Sequence, residues 1–193
     1  MKVVLCGPPH SGKSCLREGL KQAILAIHRV GKAPYPYFIT GCPDGEGSWY
    51  IETVRNNPDL AAQLKREYKA KFTWAFAEKI AFDVKNASLP LTLIDVGGKI
   101  DGKNRLIMEH ATHGVILAGD LGKVGEWERF CRELNLKVIA IIHSDYEGKF
   151  DAIECEYPIL RGSVHYLERG EDVSQRPMVQ VLARVLVGLS NGG

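Results

Sequence analysis

The sequence predicts an α/β fold in which a doubly wound, mostly parallel sheet carries helices on both faces. Short apolar runs typical of buried strands alternate with segments whose apolar residues recur at helical spacing. This alternation favours parallel strands joined by helices, and the continuous apolar character of the strands indicates that both sheet faces are covered. At 193 residues the chain has the size of one domain, so we expect residues 1–193 to form a single domain.

The first half of the chain begins with an apolar strand at residues 2–6, followed by a helix with one apolar stripe. A second strand is predicted at 36–40, and it leads into a loop at 41–49 that contains two acidic residues and Trp49. Open α/β sheets bind ligands at the carboxyl ends of their strands. The loop is therefore either a substrate or switch loop or a long surface turn with Trp49 packed inward. The helical stripe consists of Leu16, Leu20, Ala23, Ile24 and Ile27.

A long helix is predicted from Asn57 and Pro58, which fit its cap and its first position. Basic residues between positions 65 and 71 predict a solvated flank; the alternative is a basic surface for a phosphorylated substrate or RNA. The apolar residues of this helix recur every fourth position, at Leu60, Leu64, Tyr68, Phe72, Phe76 and Ile80. The basic residues are Lys65, Arg66, Lys69 and Lys71.

The second half continues the alternation of strands and helices. Strands are predicted at 91–96, 114–118, 138–142 and 164–167, and the final helix begins near Pro177. The helix before the third of these strands has one apolar face, formed by Val124, Trp127, Cys131 and Leu134. The final helix has a buried stripe formed by Met178, Val181, Leu182, Val185 and Leu186.

Composition excludes several classes of protein. The net charge of +2 is too small to indicate a highly charged partner such as nucleic acid or an anionic membrane. No apolar run approaches the roughly 18 residues of a membrane span, and the first strand begins at residue 2, so we expect neither a membrane span nor a signal peptide. The five cysteines are odd in number and lack CxxC spacing, so we expect reduced thiols in a cytoplasmic protein.

The segment GPPHSGKS, residues 7–14, has the spacing of a phosphate-binding P-loop between a strand and a helix. Glycine permits the tight turns of such a loop, and the amides at the start of the helix favour an anion. Lys13 supplies a full charge for the outer phosphates, and the Ser14 hydroxyl suits Mg²⁺. We therefore expect ATP and Mg²⁺ as cofactors. The predicted nucleotide contacts are Gly7, His10, Ser11, Gly12, Lys13, Ser14, Cys15 and Gly98.

Asp95, at the end of the clearest apolar strand, is the expected partner of Ser14 in holding Mg²⁺. Gly98 follows it and is placed to give its backbone amide to the terminal phosphate. Val96 occupies the position where many ATPase motors have a catalytic glutamate, and Lys99 stands where a GTPase would have glutamine. Lys13 and Asp95 are the predicted catalytic residues. Arg161 or Arg169 is a candidate to neutralise charge during catalysis, either in its own chain or from a second subunit. The alternative is that both arginines are ordinary surface residues.

The loop after the late strand, HSDY at 143–146, is expected to face the base. It lacks the guanine-reading NKxD motif, so nothing in it selects GTP. Tyr146 or His143 is a candidate to stack on adenine.

Several stretches together resemble one family. They are the P-loop, IDVGGK at 94–99, THGVIL at 112–117, HSDY at 143–146 and LRGSVHYLERGED at 160–172. They look like the AAA-like P-loop domain found fused to, or encoded beside, a CRISPR-associated ring nuclease that degrades cyclic oligoadenylate. The resemblance implies that such a nuclease is a partner, and the nuclease half is not in this sequence.

Three functions remain open from the residues. The first is a Mg²⁺-dependent ATPase or phosphoryl-transfer domain. The second is a nucleotide-gated interaction module with negligible turnover, and the third is a small-molecule or nucleoside kinase. A homo-oligomer is compatible with each.

Overall fold

The computed structural model describes residues 1–43 and 72–192. Most of the predicted 41–49 loop, including Trp49, lies outside the described residues. The same is true of the predicted helix from Asn57 to residue 71 and of its basic flank.

Within the described residues, seven strands form one sheet in the order β2-β3-β1-β4-β5-β7-β6. The neighbours from β2 to β7 run parallel, and β6 is antiparallel to β7 at the edge. The mostly parallel sheet that the sequence predicts is therefore confirmed. The strands are β1 (Lys2–Cys6), β2 (Pro36–Thr40), β3 (Leu91–Asp95), β4 (His113–Ala118), β5 (Lys137–Asp145), β6 (Ala152–Cys155) and β7 (Leu160–His165).

Helices cover both faces of this sheet. Because side chains alternate along a strand, Val3 and Leu5 face one core, and Val4 and Cys6 face the other. The first core is formed against α1 and α5, and the second against α2, α3 and α4. The described helices are α1 (Lys13–Arg29), α2 (Trp74–Asn86), α3 (Gly102–Met108), α4 (Val124–Glu133) and α5 (Pro177–Asn191).

Five elements differ from the sequence-based expectation. The predicted long helix is not continuous through residue 73, because Thr73 has extended backbone and its hydroxyl caps a new helix by accepting from the Phe76 amide. β5 runs on to Asp145, since β7 pairs with its last residues. β6 and α3 carry no long apolar pattern and were not predicted, and β7 begins at Leu160 instead of Val164.

None of the described helices combines the length and the apolar character that a membrane-spanning segment needs.

Candidate nucleotide-binding site

The loop between β1 and α1 leaves the carboxyl edge of the sheet at its centre, since β1 lies between β3 and β4. Gly7 has φ 136°, and a Cβ there would lie 1.9 Å from the Leu117 carbonyl oxygen. Gly12 has φ 75°, and a Cβ there would lie 2.8 Å from the Leu167 side chain. Both positions therefore require glycine, for backbone conformation and for space.

Lys13 begins α1 and curls back over this loop. Its side chain is largely buried, with 8% of its surface exposed. Its ammonium donates hydrogen bonds to the carbonyl oxygens of Gly7 and Pro8, at 3.0 and 2.8 Å. The loop thus holds a full positive charge beside the start of α1, where the helix dipole also favours an anion.

Ser14 and Asp95 meet at the base of the loop. The Ser14 hydroxyl donates to Asp95 Oδ2 over 3.3 Å. Asp95 is the last residue of β3, is 4% exposed, and lies in register with Leu5 of β1. A hydroxyl and a carboxylate are hard oxygen ligands of the kind that Mg²⁺ takes from a protein, with phosphates and water completing its shell. The residues present therefore fit a magnesium nucleotide.

The turn at residues 97–99 follows Asp95 and packs directly on the P-loop. A Cβ on Gly98 would lie 2.4 Å from the Pro9 backbone nitrogen, so the two backbones are in contact. Asn104 of α3 is fully buried and hydrogen-bonds this turn through its side chain. The sequence analysis did not identify Asn104. Its signal was Asp101, three residues earlier, which has the spacing of a helix cap: the Asp101 carboxylate accepts a hydrogen bond from the Asn104 backbone N–H.

A cavity of about 480 Å³ opens over these groups. Beyond the P-loop, it is lined by Lys99, Asp101 and Lys103 on one side and by Glu168 and Arg169 on another. Its volume is within the usual range of small-molecule sites. Its lining includes most of the predicted nucleotide contacts, namely His10, Ser11, Gly12, Lys13, Ser14, Cys15 and Gly98.

A second hollow of about 320 Å³ adjoins the cavity and shares His10, Gly12, Tyr146 and Leu167 with it. His143 lines this second hollow, at the end of β5 instead of in a loop after it.

Tyr146 stands at the border of the two spaces. Its hydroxyl donates to Glu168 Oε2 at 2.6 Å, which raises the pKa of Tyr146 to about 12 and lowers the pKa of Glu168. Its ring centroid lies 5.1 Å from that of Tyr166, so the two rings present a joined aromatic surface.

The two candidate arginines are placed differently. Arg169 lines the main cavity. Arg161 is exposed at the second residue of β7 and lines neither the main cavity nor the second hollow. The structure therefore does not bring Arg161 to the P-loop of its own chain. Asp120, which follows β4, caps a short 3₁₀ turn by accepting from the Gly122 backbone amide.

The sequence matches no family model and no curated protein. The fold, however, is similar to solved structures. One is the septum site-determining protein MinD of Pyrococcus horikoshii OT3, complexed with Mg-ADP, with a TM-score of 0.63, 11% identity and 98% of each chain covered. Another is a putative plasmid partition protein of Borrelia burgdorferi B31 bound to AMPPNP, with a TM-score of 0.61, 11% identity and 98% of each chain covered. At this identity the likeness concerns the fold, and this chain has the fold of a P-loop NTPase.

Proposed function

We propose that this chain binds ATP with Mg²⁺ in the main cavity and hydrolyses ATP or transfers its γ-phosphoryl group. The observation that carries the proposal is the Ser14–Asp95 contact at 3.3 Å, directly beside the lysine-bearing loop. The two similar solved structures support it, because one holds Mg-ADP and the other AMPPNP. The described fold also supports the proposal that residues 1–193 act as one nucleotide-binding domain.

Each group in the site has a distinct task. A micromolar nucleotide site needs about 8 kcal/mol of binding free energy. A helix N-terminus supplies at most about 2 kcal/mol toward an anion, so other groups must contribute most of it. Lys13 neutralises the outer phosphates, and the amides of residues 10–15 bind phosphate oxygens. Ser14 and Asp95 hold Mg²⁺, which when bound neutralises charge that develops on the phosphoryl oxygens.

Arg169 is the arginine that this geometry supports for neutralising charge within one chain, because it lines the cavity. The exposed position of Arg161 suits a role toward a neighbouring copy instead, and that role requires a homo-oligomer. Both roles are proposals.

The base is proposed to occupy the second hollow. Its lining offers the Tyr146 ring for stacking and polar groups from the end of β5 for the base edge. In the absence of a guanine-reading motif in the sequence at 143–146, we propose adenine as the base.

A second candidate function is a nucleotide-gated module with negligible turnover. The contact between Gly98 and Pro9 favours it, since any group that moves the P-loop also moves the 97–99 turn. A small-molecule kinase is the third candidate, favoured by the space beside Lys99, Asp101 and Lys103, where an acceptor would fit.

The sequence resemblance supports a cellular setting for any of these activities. We propose that the chain is a cytoplasmic, AAA-like accessory of CRISPR-associated cyclic-oligoadenylate signalling, with a ring nuclease as its partner. Co-purification of the chain with such a nuclease, and a change in its nucleotide turnover on adding the nuclease, would test this placement.

Isothermal titration and turnover assays test the proposed function directly. We expect MgATP to bind and ADP to be released, with or without a candidate acceptor. Tight MgATP binding without turnover would favour the gated module, and turnover that depends on an acceptor would favour the kinase. A chain that binds no MgATP would contradict the proposal.

A further inference from the structure

We propose that Asn104 is a positioning residue that fixes the 97–99 turn against the P-loop and so sets how strongly the site prefers ATP to ADP. The inference rests on the proposed function, since it concerns the same nucleotide site. It begins from three side-chain contacts between α3 and the turn.

The Asn104 amide group uses all of its polar atoms on this turn. Its Oδ1 accepts from the Gly97 N–H at 3.2 Å. Its Nδ2 donates to the Gly97 carbonyl at 3.2 Å and to the Lys99 carbonyl at 2.7 Å. The side chain thus binds both ends of the turn. Aspartate has the same shape but no donor for the two carbonyls. Alanine leaves the Gly97 N–H and the Gly97 and Lys99 carbonyls without these hydrogen bonds.

The position of Asn104 is itself firmly set. Its side chain has no exposed surface. Its backbone amide donates to Asp101 Oδ1 at 2.9 Å, so the start of α3 places it. The neighbouring α3 residues Ile107 and Met108 are buried in the second core. Because the helix is anchored by these contacts, the turn takes its position from the helix and not the reverse.

The 97–99 turn lies directly against the phosphate-binding loop. The 2.4 Å separation between a Cβ placed on Gly98 and the Pro9 nitrogen shows that the two backbones leave no room between them. Gly98 and Lys13 line the same cavity. A displaced turn would therefore alter the lining around the outermost phosphate of a nucleotide, which ATP has and ADP lacks.

A purely structural asparagine would behave differently from a positioning one. Loss of structural support lowers stability and weakens the site for both nucleotides alike. Loss of positioning changes the ratio of ATP affinity to ADP affinity. The two roles are thus separable by measuring both nucleotides on the same variant.

The experiment compares Asn104→Ala and Asn104→Asp with the parent and with Ile107→Val, a buried change on the same helix that leaves the turn contacts in place. Isothermal titration gives the affinities for MgATP and MgADP, and thermal unfolding gives stability. We expect the parent to prefer MgATP. We expect Asn104→Ala to lose at least about fivefold in MgATP affinity and to keep MgADP affinity within about twofold, because it removes all three side-chain hydrogen bonds that hold the turn. Ile107→Val should keep the parent's ratio.

Failure of the inference and failure of the proposed function give different results. A parent that binds neither nucleotide overturns the proposed function. A parent that binds both equally, or an Asn104→Ala variant that keeps the parent's preference or loses both affinities equally, overturns the inference alone.

Two further measurements keep the inference testable if Asn104→Ala folds poorly. Gly98→Ala leaves Asn104 intact but forces the turn away from Pro9, and should likewise reduce the preference for MgATP; an unchanged preference overturns the inference. In the nucleotide-free protein, amide exchange at Gly97 should be faster in Asn104→Leu, whose side chain is of similar size but has no acceptor for this N–H, than in the parent, and equal rates overturn the inference.

Discussion

The Ser14 hydroxyl lies 3.3 Å from Asp95 Oδ2, which joins the first turn of α1 to the end of β3. The two residues are 81 positions apart in the chain. They meet because β3 pairs directly with β1, with Asp95 opposite Leu5, so both oxygen ligands reach the carboxyl edge of the sheet side by side. The metal role proposed for the pair follows from this adjacency, and several consequences are open to experiment.

Asp95→Asn should weaken MgATP binding by about tenfold or more, because a charged ligand to the metal is replaced by a neutral one. Binding of ATP in the presence of EDTA should change little, since Asp95 acts through the metal. Titration with and without Mg²⁺ measures both. Asp120→Asn is the matched control, because Asp120 lies just beyond the carboxyl end of another strand, β4, but caps a local turn. Undiminished metal dependence in Asp95→Asn would place the metal carboxylate elsewhere.

Lys13→Ala should reduce MgATP affinity by about a hundredfold, since it removes the full charge aimed at the outer phosphates. The fold should remain, because the described hydrogen bonds of the Lys13 ammonium go to the loop itself, to the Gly7 and Pro8 carbonyls and the Ser11 hydroxyl. Circular dichroism and titration check the two statements. Lys21→Ala, at a half-exposed lysine on the same helix, is the control, and equal affinities for the two variants would contradict the P-loop assignment.

Gly7→Ala should destabilise the protein by about 2 kcal/mol or more and abolish nucleotide binding, since the new Cβ overlaps the Leu117 carbonyl. Gly125→Ala in α4 meets nothing within 4 Å and should be neutral or stabilise by up to about 1 kcal/mol. Urea unfolding of both variants provides the comparison. Similar stability of the two would mean that the loop backbone differs from the one described.

ATP should bind more tightly than GTP, and Tyr146→Ala should weaken ATP binding by about fivefold or more through loss of aromatic stacking. Tyr157→Ala, at a tyrosine that is 85% exposed and lines neither hollow, is the matched control. Competition titration measures the selectivity. Equal affinities for ATP and GTP would remove the adenine assignment.

Acid should destabilise the folded chain partly through His113. Desolvation, helped by the nearby charges of Lys137 and the N-terminus, lowers the pKa of His113 below its usual 6.5. The contribution of His113 to the free energy of unfolding is fully present above its ordinary pKa of 6.5. It is lost as the pH falls through the lowered pKa of the folded state, because the unfolded chain binds the proton more readily than the folded one. His113→Gln should flatten the fall in melting temperature between about pH 7 and 5. An equal fall in His113→Gln and the parent would contradict this.

Much of the fold was readable from local pattern. The apolar runs predicted β1 to β5, and the helical spacing predicted α1, α4 and α5, because strands buried on both faces and helices buried on one face leave a periodic signal. The edge strand β6 and the seven-residue α3 leave no such signal. β6 is held by pairing with β7, and α3 begins at the Asp101 cap.

The sequence by itself determined the phosphate loop, its flanking strand and helix, and the acid at the end of β3, since each depends on contiguous residues whose chemistry is local. Tertiary structure alone decided which distant groups meet. It brought Arg169 and not Arg161 to the cavity and set Asn104 beside the 97–99 turn, whereas the pairing of Ser14 with Asp95 was already expected from the sequence. Strand order and helix packing determine these contacts between distant residues, because spacing along the chain does not specify which strands lie side by side.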